Sequence, residues 1–263
     1  MDAGATPSIE GVLFDLDGVF YVGDELIPGA AEILEKLNAA GMPYRFITNT
    51  TTQSSADLHG KLTAMGLVCD QSQLITAPLA TASYLRAHQL GRCHFAVSPA
   101  VMSDFADFVS SDDNPEAVVV GDIGDAWSYD LLDTLFQCLL GGAQLIAMHR
   151  NKYWQKAGGL HIDIGAFVAG LEYVSEREAV ITGKPAPAFF DAALASLGVD
   201  REHALLVGDD VNSDIGGAQQ AGIRAALVET GKYREALVAE SGITPDWTIP
   251  SVAALGQCIE QLA

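Results

Sequence analysis

The segment Gly11-Val12-Leu13-Phe14-Asp15-Leu16-Asp17-Gly18 decides the fold class of this chain. Its first four residues are apolar and predict a short buried strand, and the acids and glycine that follow predict a turn. Pro28 to Ala40 then carries apolar residues at helical spacing, with Gly41 as a stop signal, and Tyr44 to Ile47 predicts the next strand. This order of strand, helix and strand is typical of a parallel sheet with crossover helices.

The same alternation returns near the other end of the chain. Val180 and Ile181 predict a strand, Ala186 to Leu197 a helix, Ala204 to Val207 a buried strand, and Asp214 to Ala221 a helix. The stretch between the two ends has strands and helices of its own, which indicates an inserted unit. We therefore predict an α/β protein with a Rossmann-like, doubly wound parallel sheet as its core and an inserted α/β cap domain. The predicted core comprises residues 1–77 and 180–263, and the predicted cap comprises residues 78–179.

The composition disfavours several classes of protein. The chain has 263 residues, enough for a core domain and a smaller lid, and its net charge of −20 would repel nucleic acid and anionic membranes. Apolar runs such as Ala117 to Val120 are too short to span a bilayer. Met1 to Glu10 has no signal-peptide pattern, so we expect a cytoplasmic protein. The four cysteines have no short spacing, which disfavours a zinc site.

Polar residues follow four of the predicted strands, and the carboxyl ends of parallel strands are where active sites of such sheets form. These residues are Asp15 and Asp17, Thr48 and Asn49, Lys184, and Asp209 and Asp210. Any one acid after a strand is more often a helix cap or a turn former. Together, however, these residues offer acids, a cation and a hydroxyl that could act on one substrate. The whole set is therefore harder to explain as helix caps and turn formers.

Asp15 and Asp17 are two residues apart, so an extended backbone directs both side chains to the same side. Two neighbouring carboxylates repel each other unless a cation lies between them or one carries a proton. An oxygen-rich site of this kind suits Mg²⁺, and Asp209 would add a third carboxylate. Lys184 and Thr48 offer a positive charge and a hydroxyl for phosphate oxygens, so the set points to phosphoryl transfer.

Four motifs carry a resemblance to a known family. They are Asp15-Leu16-Asp17-Gly18-Val19, Ile47-Thr48-Asn49, Gly183-Lys184-Pro185, and Gly208-Asp209-Asp210 followed by Asp214. In order and spacing they resemble the motifs of the haloacid dehalogenase (HAD) superfamily, and the long insert resembles the C2-type cap of its NagD-like branch, subfamily IIA. The stretches 158–173 and 216–233 resemble the phospholysine phosphohistidine inorganic pyrophosphate phosphatase subgroup.

The resemblance implies a phosphatase in which Asp15 attacks phosphorus and forms an aspartyl phosphate. Asp17 would protonate the leaving oxygen and then take a proton from water. Dehalogenases of the superfamily lack this second aspartate, so its presence disfavours dehalogenation.

The resemblance also implies how the remaining motif residues act. Mg²⁺ would be held by Asp15, the backbone carbonyl of Asp17 and Asp209, while Thr48, Asn49 and Lys184 would bind phosphate oxygens. Asp214 would orient a metal-bound water or Lys184. Asp210 either supports the metal site from outside the ligand set or only shapes the turn.

The sequence leaves open the substrate, the oligomeric partner and whether the phosphoryl group passes to water or to another acceptor. Asn151, Tyr153 and Trp154 lie in a cationic and aromatic stretch of the predicted cap, which either contacts substrate or is an ordinary edge of the cap. A large cap favours a small phosphorylated metabolite, and the resemblance leaves room for a homodimer through the cap. A phosphotransferase would use the same residues. A non-catalytic phosphate-binding module is disfavoured, because it should have lost acids such as Asp15.

Overall fold

A computed structural model describes residues 7–156 and 159–259 of the chain. They form two compact units, and each is considered by itself. The first unit contains the described residues of Met1–Thr48, His59–Ile75 and Pro187–Ala263, and the second contains those of Asn49–Leu58 and Thr76–Ala186. The predicted domain limits stay a prediction. Gly158, part of the stretch that suggested the subgroup, lies outside the described residues.

The described residues form short strands separated by helices. The strands are β1 (Gly11–Phe14), β2 (Tyr21–Val22), β3 (Glu25–Leu26), β4 (Tyr44–Thr48), β5 (Leu74–Thr76), β6 (Arg92–Ala96), β7 (Val109–Ser110), β8 (Ala117–Val120), β9 (Gln144–Ala147), β10 (Tyr153–Lys156), β11 (Gly159–Ile162), β12 (Val180–Ile181), β13 (Ala204–Gly208), β14 (Arg224–Val228) and β15 (Trp247–Ile249). The helices are α1 (Ala30–Ala40), α2 (Ser55–Ala64), α3 (Ala77–Ala87), α4 (Tyr129–Leu140), α5 (Gly165–Ser175), α6 (Pro187–Leu197), α7 (Gly217–Gln220) and α8 (Glu235–Ser241).

The main sheet has the strand order β15-β14-β13-β1-β4-β5. Strand β1 lies between β13 and β4 and runs parallel to both, with Phe14 opposite Val207 on one side and Phe46 on the other. All four residues of β1 are buried, as expected for a strand covered on both faces of a parallel sheet. The α/β fold with a parallel sheet is confirmed, and the ends of β1, β4 and β13 emerge side by side.

An aromatic cluster anchors the strand that carries Asp15. The ring centroids of Phe14 and Phe20 lie 5.1 Å apart, and those of Phe20 and Phe46 lie 5.2 Å apart, both edge to face. This geometry is the favourable one for aromatic pairs, and all three rings are fully buried. Phe14, just before Asp15, and Phe20, just after the turn, therefore hold the backbone around Asp15 in the core.

The second unit has a five-stranded sheet in the order β12-β9-β8-β6-β7. Its strand pairs are parallel, and β12 pairs with β9 through Val180 opposite Ile146. The sequence pattern places Val180 and Ile181 in the core segment 180–263, whereas in the structure they pair with β9 in the sheet of the second unit. A strand of two residues carries no pattern that identifies its partner, so only the tertiary structure decides which sheet it joins.

A second difference concerns the segment after β13. The sequence predicts a regular helix from Asp214 to Ala221, but residues Val211–Gly216 form a π-helical segment that continues into α7. Such π segments occur often at functional sites.

None of the helices within residues 7–156 and 159–259 combines the length and the apolar character that crossing a membrane requires.

Candidate active site

Three buried acids of the first unit meet at the ends of its strands. Asp15 follows β1, Asp209 follows β13, and Asp214 lies in the π-helical segment, with exposed fractions of 6%, 2% and 0%. One carboxylate oxygen from each lies within 4.8 Å of the other two. The backbone N–H of Asp15 donates to the carbonyl of Val207 at 2.9 Å, which ties the first acid to the neighbouring strand. The structure thus brings Asp15, Asp209 and Asp214 together, and their role as metal ligands stays a prediction.

The two carboxylate oxygens of Asp209 have different surroundings. Oδ2 accepts a hydrogen bond from the backbone N–H of Lys232 at 2.7 Å. Oδ1 is buried and has no hydrogen-bond partner among the described residues. Burial raises the pKa of Asp209 well above its usual value, Lys232 opposes the rise, and Asp15 and Asp214 reinforce it. A buried oxygen without a partner is costly, and a hard divalent cation would satisfy it.

Asp17 has a different environment from Asp15. Asp17 as a residue is exposed, but neighbouring protein atoms partly desolvate its carboxyl group, which raises its pKa against the opposing charges of Lys232 and Lys61. A raised pKa favours a group that donates a proton. The turn around it is held by the Gly18 N–H, which donates to the Tyr21 carbonyl at 2.7 Å.

Asp210 caps the π-helical segment that follows it. Its Oδ1 accepts hydrogen bonds from the backbone N–H groups of Asn212 and Ser213, both at 3.0 Å. Its Oδ2 lies 3.4 Å from Nζ of Lys232, and its backbone N–H donates to Oδ2 of Asp214 at 3.1 Å. Asp210 thus shapes the turn and also contacts one of the three clustered acids.

The segment Thr230-Gly231-Lys232 joins the first and fourth motifs, and sequence reasoning assigned it no role in the site. Oγ1 of Thr230 donates to the carbonyl of Gly18 at 2.5 Å, while Lys232 contacts Asp209 and Asp210 as described above. One signal could have revealed it. Lys232 is one of only 14 basic residues in an acidic chain, and it comes shortly after strand β14.

We expect Gly231→Ala to lower activity at least about tenfold and the free energy of unfolding by about 1–3 kcal/mol. Gly231 has φ of +60°, and an added Cβ would overlap Asp209 Oδ2 and come within 2.5 Å of the Cα of Gly18. Gly242→Ala is the matched control, since its φ is +69° but nothing lies within 4 Å of the added Cβ. Steady-state kinetics and thermal unfolding measure both. Equal activity in the two variants would contradict the close packing against Asp209.

Asn49 and Lys184 form a hydrogen-bonded pair in the second unit. The backbone N–H of Lys184 donates to Oδ1 of Asn49 at 2.8 Å, and Nδ2 of Asn49 donates to the carbonyl of Lys184 at 2.9 Å. Lys184 is buried and precedes a cis peptide bond to Pro185. Thr48 is buried at the end of β4, in the first unit. Phosphate binding by these three residues stays a prediction.

The predicted substrate residues of the cap lie near the antiparallel pair β10–β11. Tyr153 is opposite Ile162 and Trp154 opposite His161. The backbone N–H of Asn151 lies 3.4 Å from Nδ1 of His149. Contact of Asn151, Tyr153 or Trp154 with a substrate stays a prediction.

Comparison with protein families identifies the chain. A family model described as haloacid dehalogenase-like hydrolase matches residues 12–108, and a model described as HAD-hydrolase-like matches residues 181–255. The chain belongs to the haloacid dehalogenase superfamily. The two matched ranges contain Asp15, Asp17, Lys184 and Asp209, so all four motifs fall within HAD-type sequence.

Named relatives place the chain within the HAD superfamily. It is 38% identical to haloacid dehalogenase-like hydrolase domain-containing protein 2 of Bos taurus, covering 87% of each chain. It is 37% identical to the phospholysine phosphohistidine inorganic pyrophosphate phosphatase of Bos taurus, covering 86% of this chain and 85% of the relative. The structure of NagD from E. coli K-12 matches with a TM-score of 0.83 and 29% identity, covering 94% of this chain and 98% of NagD. These findings confirm the NagD-like branch and a hydrolase of the phosphatase class.

Proposed function

We propose that this HAD phosphatase is Mg²⁺-dependent and hydrolyses a small phosphorylated metabolite through an aspartyl phosphate on Asp15. The observation that carries the proposal is the buried cluster of Asp15, Asp209 and Asp214, with one oxygen from each within 4.8 Å of the others. Three buried acids this close repel one another strongly unless a cation accompanies them. Oxygen ligands without nitrogen or sulfur favour Mg²⁺ over zinc-type metals.

The proposed reaction has two steps. In the first, a carboxylate oxygen of Asp15 attacks phosphorus, the bond from phosphorus to the leaving oxygen breaks, and Asp17 gives that oxygen its proton. In the second, Asp17 takes a proton from water, the resulting hydroxide attacks phosphorus, and the Asp15 carboxylate is released with inorganic phosphate. The raised pKa of Asp17 supports its role as the acid of the first step.

The metal would be held by Asp15, Asp209 and the backbone carbonyl of Asp17, and the structure supports Asp214 as a further member of the set. When bound, it supplies positive charge that lets an anionic phosphate approach an anionic nucleophile. The whole chain carries a net charge of −20, which makes such local compensation necessary. Motif resemblance assigns binding of the phosphate oxygens to Thr48, Asn49 and Lys184.

We expect hydrolysis to depend on Mg²⁺ and to stop when EDTA is added. The measurement is phosphate release across a panel of sugar phosphates, nucleotides, pyridoxal phosphate, aryl phosphates, pyrophosphate and P–N compounds. P–N compounds and pyrophosphate belong in the panel because one relative is named for them. Excess Mg²⁺ should restore the rate, and turnover that persists in EDTA would refute the metal assignment. Adding an acceptor alcohol and analysing the products separates hydrolysis from phosphotransfer.

A further inference from the structure

Lys232 lies beside the buried acids of the first unit, in the segment Thr230-Gly231-Lys232, to which sequence reasoning assigned no role in the site. Its backbone N–H donates to Oδ2 of Asp209 at 2.7 Å, and its Nζ lies 3.4 Å from Oδ2 of Asp210. The side chain is 31% exposed, so the ammonium group is only partly hydrated. Lys232 therefore contacts two acids, Asp209 through its backbone N–H and Asp210 through its ammonium group.

The segment that carries Lys232 is held in place independently of its charge. The hydroxyl of Thr230 is hydrogen-bonded to the Gly18 carbonyl, and Gly231 packs against Gly18 and Asp209 so closely that no Cβ would fit. The backbone N–H of Lys232 adds a third attachment. The backbone of Lys232 is thus fixed beside the acids, and its ammonium group forms an ion pair with Asp210 at 3.4 Å.

We propose that Lys232 is an internal counter-ion of the four neighbouring acids Asp15, Asp209, Asp210 and Asp214, and that its positive charge weakens the binding of the divalent cation to this site. The inference rests on the proposed metal site, and it concerns how tightly that site binds its ion. Without a cation, the positive charge of Lys232 reduces the repulsion among Asp15, Asp209, Asp210 and Asp214. With a cation bound, the same charge repels the ion.

The sign of the effect follows from Coulomb's law. Removing one positive charge beside the acids should strengthen the binding of a doubly charged ion to them, because the interaction between the two charges remains substantial at the effective dielectric of a partly exposed site. The same removal leaves the empty site with more uncompensated negative charge, so the metal-free protein becomes less stable. An ordinary structural lysine would show only the second effect.

The test is the affinity of the full-length protein for Mg²⁺, measured by isothermal titration calorimetry at pH 8.5, where protons compete less for the carboxylates. We expect Lys232→Met to bind Mg²⁺ about tenfold more tightly than the wild type. In EDTA its thermal midpoint should fall by several degrees, and saturating Mg²⁺ should abolish that fall. Lys232→Arg, which keeps the charge, should bind Mg²⁺ with nearly wild-type affinity.

Lys36→Met is the matched control, because Lys36 is an exposed lysine on α1 of the same unit. It should change neither affinity nor midpoint. Unchanged or weaker Mg²⁺ binding by Lys232→Met overturns the counter-ion role, even if activity changes. If that variant does not fold, Lys232→Gln provides the same comparison with a polar side chain. Absence of Mg²⁺ binding by the wild type would instead refute the proposed function, so the two failures are distinguishable.

Discussion

Asp15→Asn is expected to lower kcat by at least about 10⁴-fold while leaving the protein folded. The amide has nearly the same size as the carboxylate but cannot act as the nucleophile on phosphorus. Asp15 is held by its position after β1 and by its backbone hydrogen bond to Val207, and neither depends on the side-chain charge. Hydrolysis of 4-nitrophenyl phosphate with Mg²⁺ measures the rate, and thermal unfolding checks the fold.

Asp24→Asn is a suitable control for that experiment. The Asp24 side chain is 96% exposed beside strand β3 and forms a 3.6 Å ion pair with Lys61, so its substitution should leave the rate within about twofold. Quenching the wild type during turnover should also reveal a phosphorylated peptide that contains Asp15, and Asp15→Asn should yield none. A variant that kept near-normal activity would show that the covalent mechanism is wrong.

Asp17→Asn is the second substitution with a large expected effect. We expect kcat/KM for a sugar or other alkyl phosphate to fall about 10²–10⁴-fold, because an alkoxide leaves poorly without a proton from the enzyme. The loss should be much smaller for 4-nitrophenyl phosphate, whose nitrophenolate leaves without protonation. Comparing kcat/KM for the two substrates in wild type and variant measures this difference.

The same variant should show a second sign of the role of Asp17. Without a base to activate water, the aspartyl phosphate should accumulate, so 4-nitrophenyl phosphate should give a burst of nitrophenolate stoichiometric with enzyme, followed by slow turnover. Wild-type enzyme serves as the control for burst amplitude. Equal losses with both substrates and no burst would exclude Asp17 as the proton donor and base.

Local sequence patterns predicted much of the first unit. The predicted strands Gly11 to Phe14, Tyr44 to Ile47 and Ala204 to Val207 all lie in the main sheet. These patterns are reliable because strands covered on both faces need continuous apolar residues. After the first motif the chain forms a short antiparallel hairpin, in which Tyr21 pairs with Leu26.

Two features that depend on contacts between distant segments were not predicted. Val180 and Ile181 read as a core strand but pair with β9 of the second unit. Nothing in the local sequence links Lys232 to the first motif, and it is strand β14 that brings its segment beside Asp209. In both cases the deciding interaction joins residues far apart along the chain, and no periodicity of the sequence encodes it.

By itself, the sequence determined the alternating α/β architecture, the family and the set of acids at the strand ends. It could do so because burial periodicity and motif order are properties of short segments. Only the tertiary structure decided that Asp214 joins Asp15 and Asp209 within 4.8 Å, and that one oxygen of Asp209 accepts a hydrogen bond from Lys232 while the other has no hydrogen-bond partner among the described residues. The physical reason is that the desolvation of a buried carboxylate, and the charges that compensate it, depend on all of its neighbours in space. Those neighbours come from distant parts of the chain and meet only when the chain folds.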